Sequence, residues 1–294
     1  MTKDNNENLS NIIDKELEPS NKIVKPDFSK KSGRELLALY LQKKFEQILE
    51  HDSKVSKPMF VDVKYDFIKK FTHRLITNPD KKIMIGITGE SASGKSTICG
   101  LISDVITNFG MPVTVLTTDN YFKDRSGLIK EYGSFDALRD NGYDIDSPDN
   151  FQLDILKEDL ENISHGEDIY SPEYLINGTG VSIPRAKFIP SNKIIVVEGV
   201  ASMYKDIKNV FDIKVYVETD LETRCNRFLK RAYTERNQVL DEAVKHWDYV
   251  LVAGEKYVKP ARKEADIILN GDTNVAYFCQ ILKYFYAITN NFAV

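Results

Sequence analysis

The sequence KIMIGITGESASGKST, residues 82–97, combines two patterns that belong together. Its first half is a short apolar run rich in β-branched residues, which predicts a buried strand. Its second half, residues 89–96, fits G-x-x-x-x-G-K-S/T without a gap. Apolar side chains then follow at helical spacing over residues 97–106. A glycine-rich loop between a strand and a helix predicts a site for the phosphates of a nucleoside triphosphate.

Each residue type in this loop has an expected role. The glycines let the backbone curl so that successive N–H groups point at phosphate oxygens. Lys95 reaches the β- and γ-phosphates, and the Ser96 hydroxyl ligates Mg²⁺. We therefore expect ATP or GTP, together with Mg²⁺, as cofactors. The predicted nucleotide-binding residues are Gly89, Glu90, Ser91, Ala92, Ser93, Gly94, Lys95, Ser96 and Thr97.

The composition is that of a globular protein. The chain has 294 residues, 42% of them hydrophobic, and 40 basic against 44 acidic residues. This acidic balance argues against nucleic acid as a main partner. The three cysteines lie far apart, without metal-ligand spacing or an even disulfide set, and no apolar run is long enough to span a bilayer. We therefore expect a cytoplasmic protein with no membrane partner.

Changes in composition predict three parts of the chain. Residues 1–32 are dominated by Asn, Asp, Glu, Lys and Ser, which predicts a disordered tail. Residues 33–80 carry two amphipathic patterns and predict a helical N-terminal extension, whose second helix includes Val61, Val63 and the residues up to Ile76. The extension either packs on the rest of the chain or forms a dimer surface, which leaves a homo-oligomer open. Residues 81–294 form the main domain.

Four further strand patterns follow the loop, near residues 112–118, 193–199, 211–217 and 265–270. Their alternation with helices predicts an α/β fold, a three-layer sandwich around a parallel five-stranded sheet. Ligands bind such sheets at the carboxyl ends of the strands. Asp119 and Glu198 follow or end two of these strands. Glu198 suits Mg²⁺, and Asp119 suits either Mg²⁺ or proton removal from a hydroxyl, although its position alone also fits a helix cap.

Three motifs in the same order resemble the uridine kinase and phosphoribulokinase family of P-loop kinases, namely GESASGKS, TTDNYF and YDIDSPDNF. This family phosphorylates a hydroxyl of a small metabolite. The resemblance implies that Asp119 is the catalytic base and that Asp146 grips the ribose hydroxyls of a nucleoside. Tyr121, two residues after Asp119, is predicted to contact the substrate as well.

Residues 169–188 are interrupted by Asn-Gly-Thr-Gly at 177–180, which predicts a β-hairpin. The segment sits where the family has G-x-x-I/V-x-x-P-x-Y-D-F, in a hairpin that covers the base with a Tyr and a His. The resemblance implies that Tyr170 is this Tyr, but Leu175 stands at the place of the His. The pair Tyr170-Ser171 is also similar to relatives that phosphorylate pantothenate or sugar phosphates.

Residues 220–236 are rich in arginine and fit a helix. Phosphoryl transfer needs positive charge over the equatorial oxygens, which arginine supplies bidentately. The family places a helical lid here, and the resemblance implies catalytic roles for Arg224, Arg227 and Arg231, with Arg224 and Arg227 also binding substrate. Gln238 stands where the family has a later lid arginine.

Together these features predict a P-loop kinase domain over residues 81–294, with a hairpin over the substrate and a helical lid. Its expected partners are a nucleoside triphosphate and a small hydroxyl acceptor, with uridine or cytidine first. One alternative is a pantothenate- or sugar-phosphate-type kinase of the same family. The other is a nucleotide-binding regulator that has lost turnover, against which Lys95, Asp119 and Glu198 argue together.

Overall fold

The computed structural model describes residues 31–78, 81–108, 110–204, 207–236, 238–273 and 276–291. The predicted disordered tail, apart from its last two residues, lies outside the described residues. The described strands are β1 (Phe60–Val63), β2 (Ile83–Thr88), β3 (Val113–Thr117), β4 (Ile169–Tyr174), β5 (Ser182–Ile189), β6 (Ile194–Glu198), β7 (Ile213–Glu218) and β8 (Ile267–Asn270).

Nine α-helices surround these strands within the described part of the chain. They are α1 (Lys31–Asp52), α2 (Phe67–Thr77), α3 (Lys95–Asn108), α4 (Ser126–Tyr132), α5 (Phe135–Asp140), α6 (Leu153–Ser164), α7 (Leu221–Arg236), α8 (Leu240–Ala253) and α9 (Ala276–Asn291). The predicted lid corresponds to α7, and the predicted hairpin to β4 and β5, which pair antiparallel.

The main sheet has the strand order β1-β8-β7-β2-β6-β3. Its five strands from β8 to β3 run parallel, as predicted. Alternate residues of the central strand β2 enter different cores, since Ile83, Ile85 and Ile87 pack with α1, α2, α3 and α9, whereas Met84 packs with α6. Because helices cover both faces, the central strands read as continuous apolar runs. The α/β sandwich predicted from the sequence is confirmed.

The sheet also has a sixth strand that the sequence analysis did not predict. β1 pairs antiparallel with β8, and Asp62 stands opposite Ile268. The prediction of one helix including Val61 and Val63 is wrong, because these residues form the edge strand and α2 begins only at Phe67. Val61 and Val63 are β-branched and alternate along the chain, a pattern that favours a strand.

The segment before the phosphate loop shares a core with the main domain. Leu41, Phe45 and Ile48 of α1 and Phe71 of α2 lie in the same hydrophobic cluster as Ile85 of β2. The described part of the predicted extension thus packs on the sheet through both helices and adds a strand to its edge. The boundary at residue 80 stays a prediction.

A buried carboxylate fixes the turn that leads from α1 into β1. Asp52 is 2% exposed and accepts hydrogen bonds from the backbone N–H groups of Met59 (2.9 Å) and Phe60 (2.8 Å). We expect Asp52→Ala to lower the free energy of unfolding by about 2 kcal/mol, because it leaves these N–H groups without their charged acceptor. Asp52→Asn keeps one acceptor oxygen and should cost less. Urea titration measures both, and equal stability of wild type and Asp52→Ala would contradict the assignment.

Candidate active site

The phosphate loop lies at the carboxyl end of β2 and is tightly curled. Ala92 has a positive φ of 61° and Gly94 one of 99°, so the chain turns through the left-handed region twice within three residues. Only a strong structural demand keeps a non-glycine residue in that region, and such residues concentrate at functional sites. Lys95 begins α3, and its Nζ donates to the Glu90 carbonyl oxygen at 3.3 Å.

The loop after β8 rests directly on the phosphate loop. A Cβ at Gly271 would stand 1.9 Å from the Ser93 carbonyl oxygen, so only glycine fits there. The same carbonyl accepts a hydrogen bond from Thr219 Oγ1 at 2.8 Å. The ends of β2, β7 and β8 are therefore in contact, and they hold the phosphate loop from one side.

Three predicted groups meet at the ends of β3 and β6. Thr117 pairs with Glu198 in the sheet, which brings Asp119, two residues further on, beside Glu198. Ser96 Oγ donates to Glu198 Oε2 at 3.1 Å. Burial and the Glu198 charge raise the pKa of Asp119, while Lys95 opposes that rise. Burial lowers the pKa of Lys95, and Glu198 and Asp119 oppose that shift. The charges of Lys95, Asp119 and Glu198 therefore act on one another.

These residues fit a magnesium ion that arrives with a triphosphate. Among the residues that the structure describes, no three His, Cys, Asp or Glu side chains are grouped to hold a metal unaided. Mg²⁺ usually keeps several waters and is bound through one or two carboxylates plus substrate phosphates. The adjacent hydroxyl of Ser96 and carboxylate of Glu198 match that donor set.

The three predicted arginines of α7 have different surroundings. Arg224 is buried behind the phosphate loop, where its Nε donates to the Ser91 carbonyl oxygen at 3.0 Å and its Nη1 pairs with Glu90 at 2.8 Å. Its guanidinium also lies 5.6 Å from the centre of the Trp247 ring. This placement indicates that Arg224 supports the loop backbone.

Arg227 and Arg231 lie further along α7. Arg227 pairs with Asp272 at 2.8 Å and donates to the Gly271 carbonyl oxygen at 3.2 Å, on the loop after β8. Arg231 is half exposed and 3.6 Å from Glu235 of its own helix, and its charge acts on both Asp119 and Lys95. Of the three arginines, Arg231 is therefore the one whose charge acts on Asp119.

The predicted acceptor residue Asp146 lies on the other side of Asp119. Burial raises the pKa of Asp146, and the charges of Arg139 and Arg125 oppose the rise. The Asp146 charge also raises the pKa of Asp119, so the two carboxylates lie close enough to interact. Tyr204 completes the group, because burial and then the Asp146 charge raise the pKa of its phenol.

Aromatic rings form a row next to these carboxylates. The Phe122 ring lies 5.3 Å from that of Tyr174 and 4.1 Å from that of Phe151, which in turn lies 5.7 Å from Tyr204. We call these four residues the aromatic row. It extends from the hairpin, through the segment after β3, to the segment after β6. Phe151 and Tyr204 are buried, whereas Phe122 and Tyr174 are half-buried, so these last two rings are the ones that offer apolar surface.

Two residues predicted to contact the substrate are placed elsewhere. Tyr121 is fully buried and its hydroxyl donates to Asp159 on α6 at 2.7 Å, so its side chain belongs to the core. Tyr170 is 57% exposed and packs against Phe188 across the hairpin. It lines a cavity of about 250 Å³ with α6, and neither Asp119 nor Asp146 lines that cavity.

The sequence analysis missed Tyr174 and Arg125. Tyr174 could have been found, since Pro172-Glu173-Tyr174 fits the P-x-Y of the hairpin motif better than Tyr170 does. Arg125 carries no motif signal. It is identified only by the fold, which buries it beside Asp146 and 5.1 Å from the centre of the Phe122 ring.

The phosphate loop, the two carboxylates opposite it and the basic helix α7 define a class of protein, the P-loop phosphotransferases with a hydroxyl acceptor. A sequence model described as the phosphoribulokinase/uridine kinase family matches residues 84–276. The chain belongs to this family, and the family predicted from the three motifs is confirmed.

Individual relatives agree with this assignment. A uridine kinase of Lactobacillus helveticus is 31% identical over 201 residues, which cover 67% of this chain and 91% of that protein. A uridine kinase of Clostridium novyi is 30% identical, covering 72% of this chain and 99% of that protein. The fold is similar to that of a putative fructose transport system kinase from Silicibacter sp. TM1040, with a TM-score of 0.55, 18% identity and coverage of 68% and 95%. No helix in the described ranges is long and apolar enough to cross a membrane.

Proposed function

We propose that this chain transfers the γ-phosphoryl group of Mg-ATP to a hydroxyl of a pyrimidine nucleoside, with uridine and cytidine as first candidates. The relatives with the names quoted above support the nucleoside. The site geometry supports the transfer, because the charges of Lys95, Asp119 and Asp146, the last two partly buried, act on one another in sequence. GTP is the alternative donor.

In this proposal the donor half of the site binds the triphosphate. The loop amides and Lys95 hold its phosphates, and Ser96 with Glu198 would hold the magnesium ion. When bound, that ion would supply positive charge that offsets the negative charge of the phosphates. Arg224 keeps the loop in shape through Ser91 and Glu90, and Arg231 neutralises charge on the transferred group.

Asp119 is the group that removes the proton. In its ionised form the carboxylate accepts the proton of the acceptor hydroxyl while the new bond from oxygen to the γ-phosphorus forms. The bond between the γ-phosphorus and the bridging oxygen breaks, and its electron pair leaves with ADP. Lys95 favours the ionised form of Asp119 and so prepares it for this step.

The aromatic row is the observation that favours a nucleoside over a purely aliphatic acceptor. The half-buried Phe122 ring, which packs on the buried Phe151 ring at 4.1 Å and lies 5.1 Å from the Arg125 guanidinium, provides an apolar wall. A planar base gains from such a wall, whereas pantothenate and sugar phosphates present no ring of that kind. Asp146 would then accept hydrogen bonds from the ribose hydroxyls, as the resemblance implies.

A panel of acceptors tests this proposal. The full chain is incubated with Mg-ATP or Mg-GTP and with uridine, cytidine, adenosine, pantothenate or a pentose phosphate, and nucleoside diphosphate release is followed. We expect the pyrimidine nucleosides to give the highest kcat/KM. We also expect Asp146→Asn to raise the acceptor KM by about 10- to 100-fold, because the substitution removes a charge-assisted hydrogen bond. If no acceptor raises nucleoside diphosphate release above background, the regulator is favoured. If only a non-nucleoside is phosphorylated, the proposal is contradicted.

A further inference from the structure

Arg125 is a buried cation that the mechanism above does not use. It lies between β3 and α4 and is 3% exposed. Among the described residues, no carboxylate lies within ion-pair distance of its guanidinium. Burial lowers its pKa, and its polar neighbours are Tyr174, Tyr143 and Asp146. A charged group held in such a place without an ion pair costs free energy unless another partner compensates for it.

The surrounding structure fixes the orientation of Arg125. Its Nη2 donates to the Ile145 carbonyl oxygen at 2.8 Å, and its guanidinium lies 5.1 Å from the centre of the Phe122 ring. Its backbone N–H donates to the Gly180 carbonyl oxygen at 2.7 Å, which ties it to the turn of the hairpin. The side chain is therefore held between the hairpin, the aromatic row and the segment that carries Asp146.

The charge of this guanidinium has no ion-pair partner among the described residues. Its Nε and the Tyr174 phenol are both buried, and the two side chains lie within hydrogen-bonding reach of each other, with no other partner for either atom among the described residues. The Nε of Arg139, the other arginine beside Asp146, also has no partner there, but the charge of Arg139 is paired with Asp136 at 2.9 Å. Arg125 thus differs from Arg139 in its missing ion pair. A ligand acceptor beside the Arg125 guanidinium would compensate for that charge.

We propose that Arg125 is a specificity-determining residue that donates a hydrogen bond to a carbonyl oxygen of the nucleoside base; this inference rests on the proposed function. The hairpin has Leu175 where a donor from a His is expected, so the base needs a donor from another element. Arg125 supplies it from the segment after β3, next to Phe122 of the aromatic row. Tyr174 stands beside Arg125, whose charge lowers the pKa of the phenol against the effect of burial.

The test combines a changed enzyme with a changed base. Wild type and Arg125→Met are assayed with Mg-ATP and with uridine, the pyrimidin-2-one riboside that lacks the 4-oxo group, and the pyrimidin-4-one riboside that lacks the 2-oxo group. In wild type we expect loss of one of the two oxygens to lower kcat/KM by about 10- to 100-fold. In Arg125→Met the loss of that same oxygen should change kcat/KM by less than about threefold, whereas loss of the other oxygen acts equally on both proteins.

Two further variants separate a specific contact from a loss of structure. Arg125→Lys keeps the charge and the aliphatic stem, so it decides the question if Arg125→Met fails to fold, and it should lose most of the preference. Arg74→Lys is the control, because Arg74 is a partly buried arginine that is paired with Asp212 at 2.9 Å outside the site. It should keep the wild-type ratio between the three ribosides.

The outcomes for the two proposals differ. If wild type turns over uridine but every variant retains the same penalty for each oxygen, Arg125 does not contact the base, and the nucleoside kinase proposal stands. If wild type turns over none of the ribosides while it binds ATP, both proposals fail, and this is visible before any variant is made.

Discussion

Asp119→Asn is expected to lower kcat by about 10²- to 10⁴-fold while ATP binding is retained, because the amide cannot accept the hydroxyl proton. The substitution keeps the shape of the side chain, and Asp119 makes no ion pair within the described structure that its loss would break. Single-turnover measurements with saturating Mg-ATP and uridine give the rate of the chemical step. Asp104→Asn, on the exposed side of α3, is the matched control and should keep the wild-type rate.

The pH dependence of kcat provides a second readout of the same group. Asp119 must be ionised to act, so kcat falls as the pH falls through its pKa. Burial and Glu198 raise that pKa, which moves the acid limb of the profile from the ordinary range of an aspartate toward neutrality. The pKa of Asp146 is raised as well. Asp146 acts on acceptor binding, however, and kcat is measured with saturating acceptor, so its protonation should not appear in the kcat profile. An unchanged rate and an unchanged acid limb in Asp119→Asn would remove Asp119 from the mechanism.

The donor half of the site could be predicted from the sequence because its parts are local. A strand, a glycine-rich loop and a helix follow one another within residues 83–108, and the motif requires no distant partner. Asp119 and Glu198 could be placed opposite this loop because parallel strands bring their carboxyl ends to one edge. In the structure, Thr117 pairs with Glu198 in the sheet, and Ser96 donates a hydrogen bond to Glu198.

The acceptor half depends on contacts between distant segments, which spacing does not reveal. Arg125 donates hydrogen bonds to the carbonyl oxygens of Ile145 and Gly180, which belong to segments further along the chain. In the hairpin, the bulge between Ser171 and Glu173 changes which face the following side chains occupy. The P-x-Y of the hairpin motif fits Pro172-Glu173-Tyr174, but the motif does not show this bulge.

The sequence analysis missed the edge strand β1, although Val61 and Val63 alternate as strand residues do. Val61, Val63 and the apolar residues of α2 fit a single amphipathic helix if they are counted together. The strand forms because β8 leaves an unpaired edge, which an antiparallel neighbour closes. Asp52 then holds the turn before β1 through the N–H groups of Met59 and Phe60. Asp52 is a local contact, but β8 is distant from β1 in the chain, so a tertiary contact determines this element.

Lys95→Met should lower kcat by about 10²- to 10³-fold and raise the KM for ATP, because it removes the positive charge that faces the β- and γ-phosphates. Methionine keeps most of the aliphatic stem, and the loop amides still bind phosphate oxygens, so binding is weakened and not abolished. Lys157→Met, on the exposed face of α6, removes the same charge far from the loop and should behave as wild type.

Lys95→Met should also change the pH dependence of the residual activity, which a purely structural defect would not do. Lys95 lowers the pKa of Asp119 against burial and the Glu198 charge. Without it, Asp119 holds its proton to a higher pH, so the acid limb of the residual activity in Lys95→Met should move further toward neutrality. A fall in kcat with an acid limb at the wild-type position would show that Lys95 and Asp119 act independently. A shifted limb would show that the phosphate loop prepares the base for the acceptor hydroxyl.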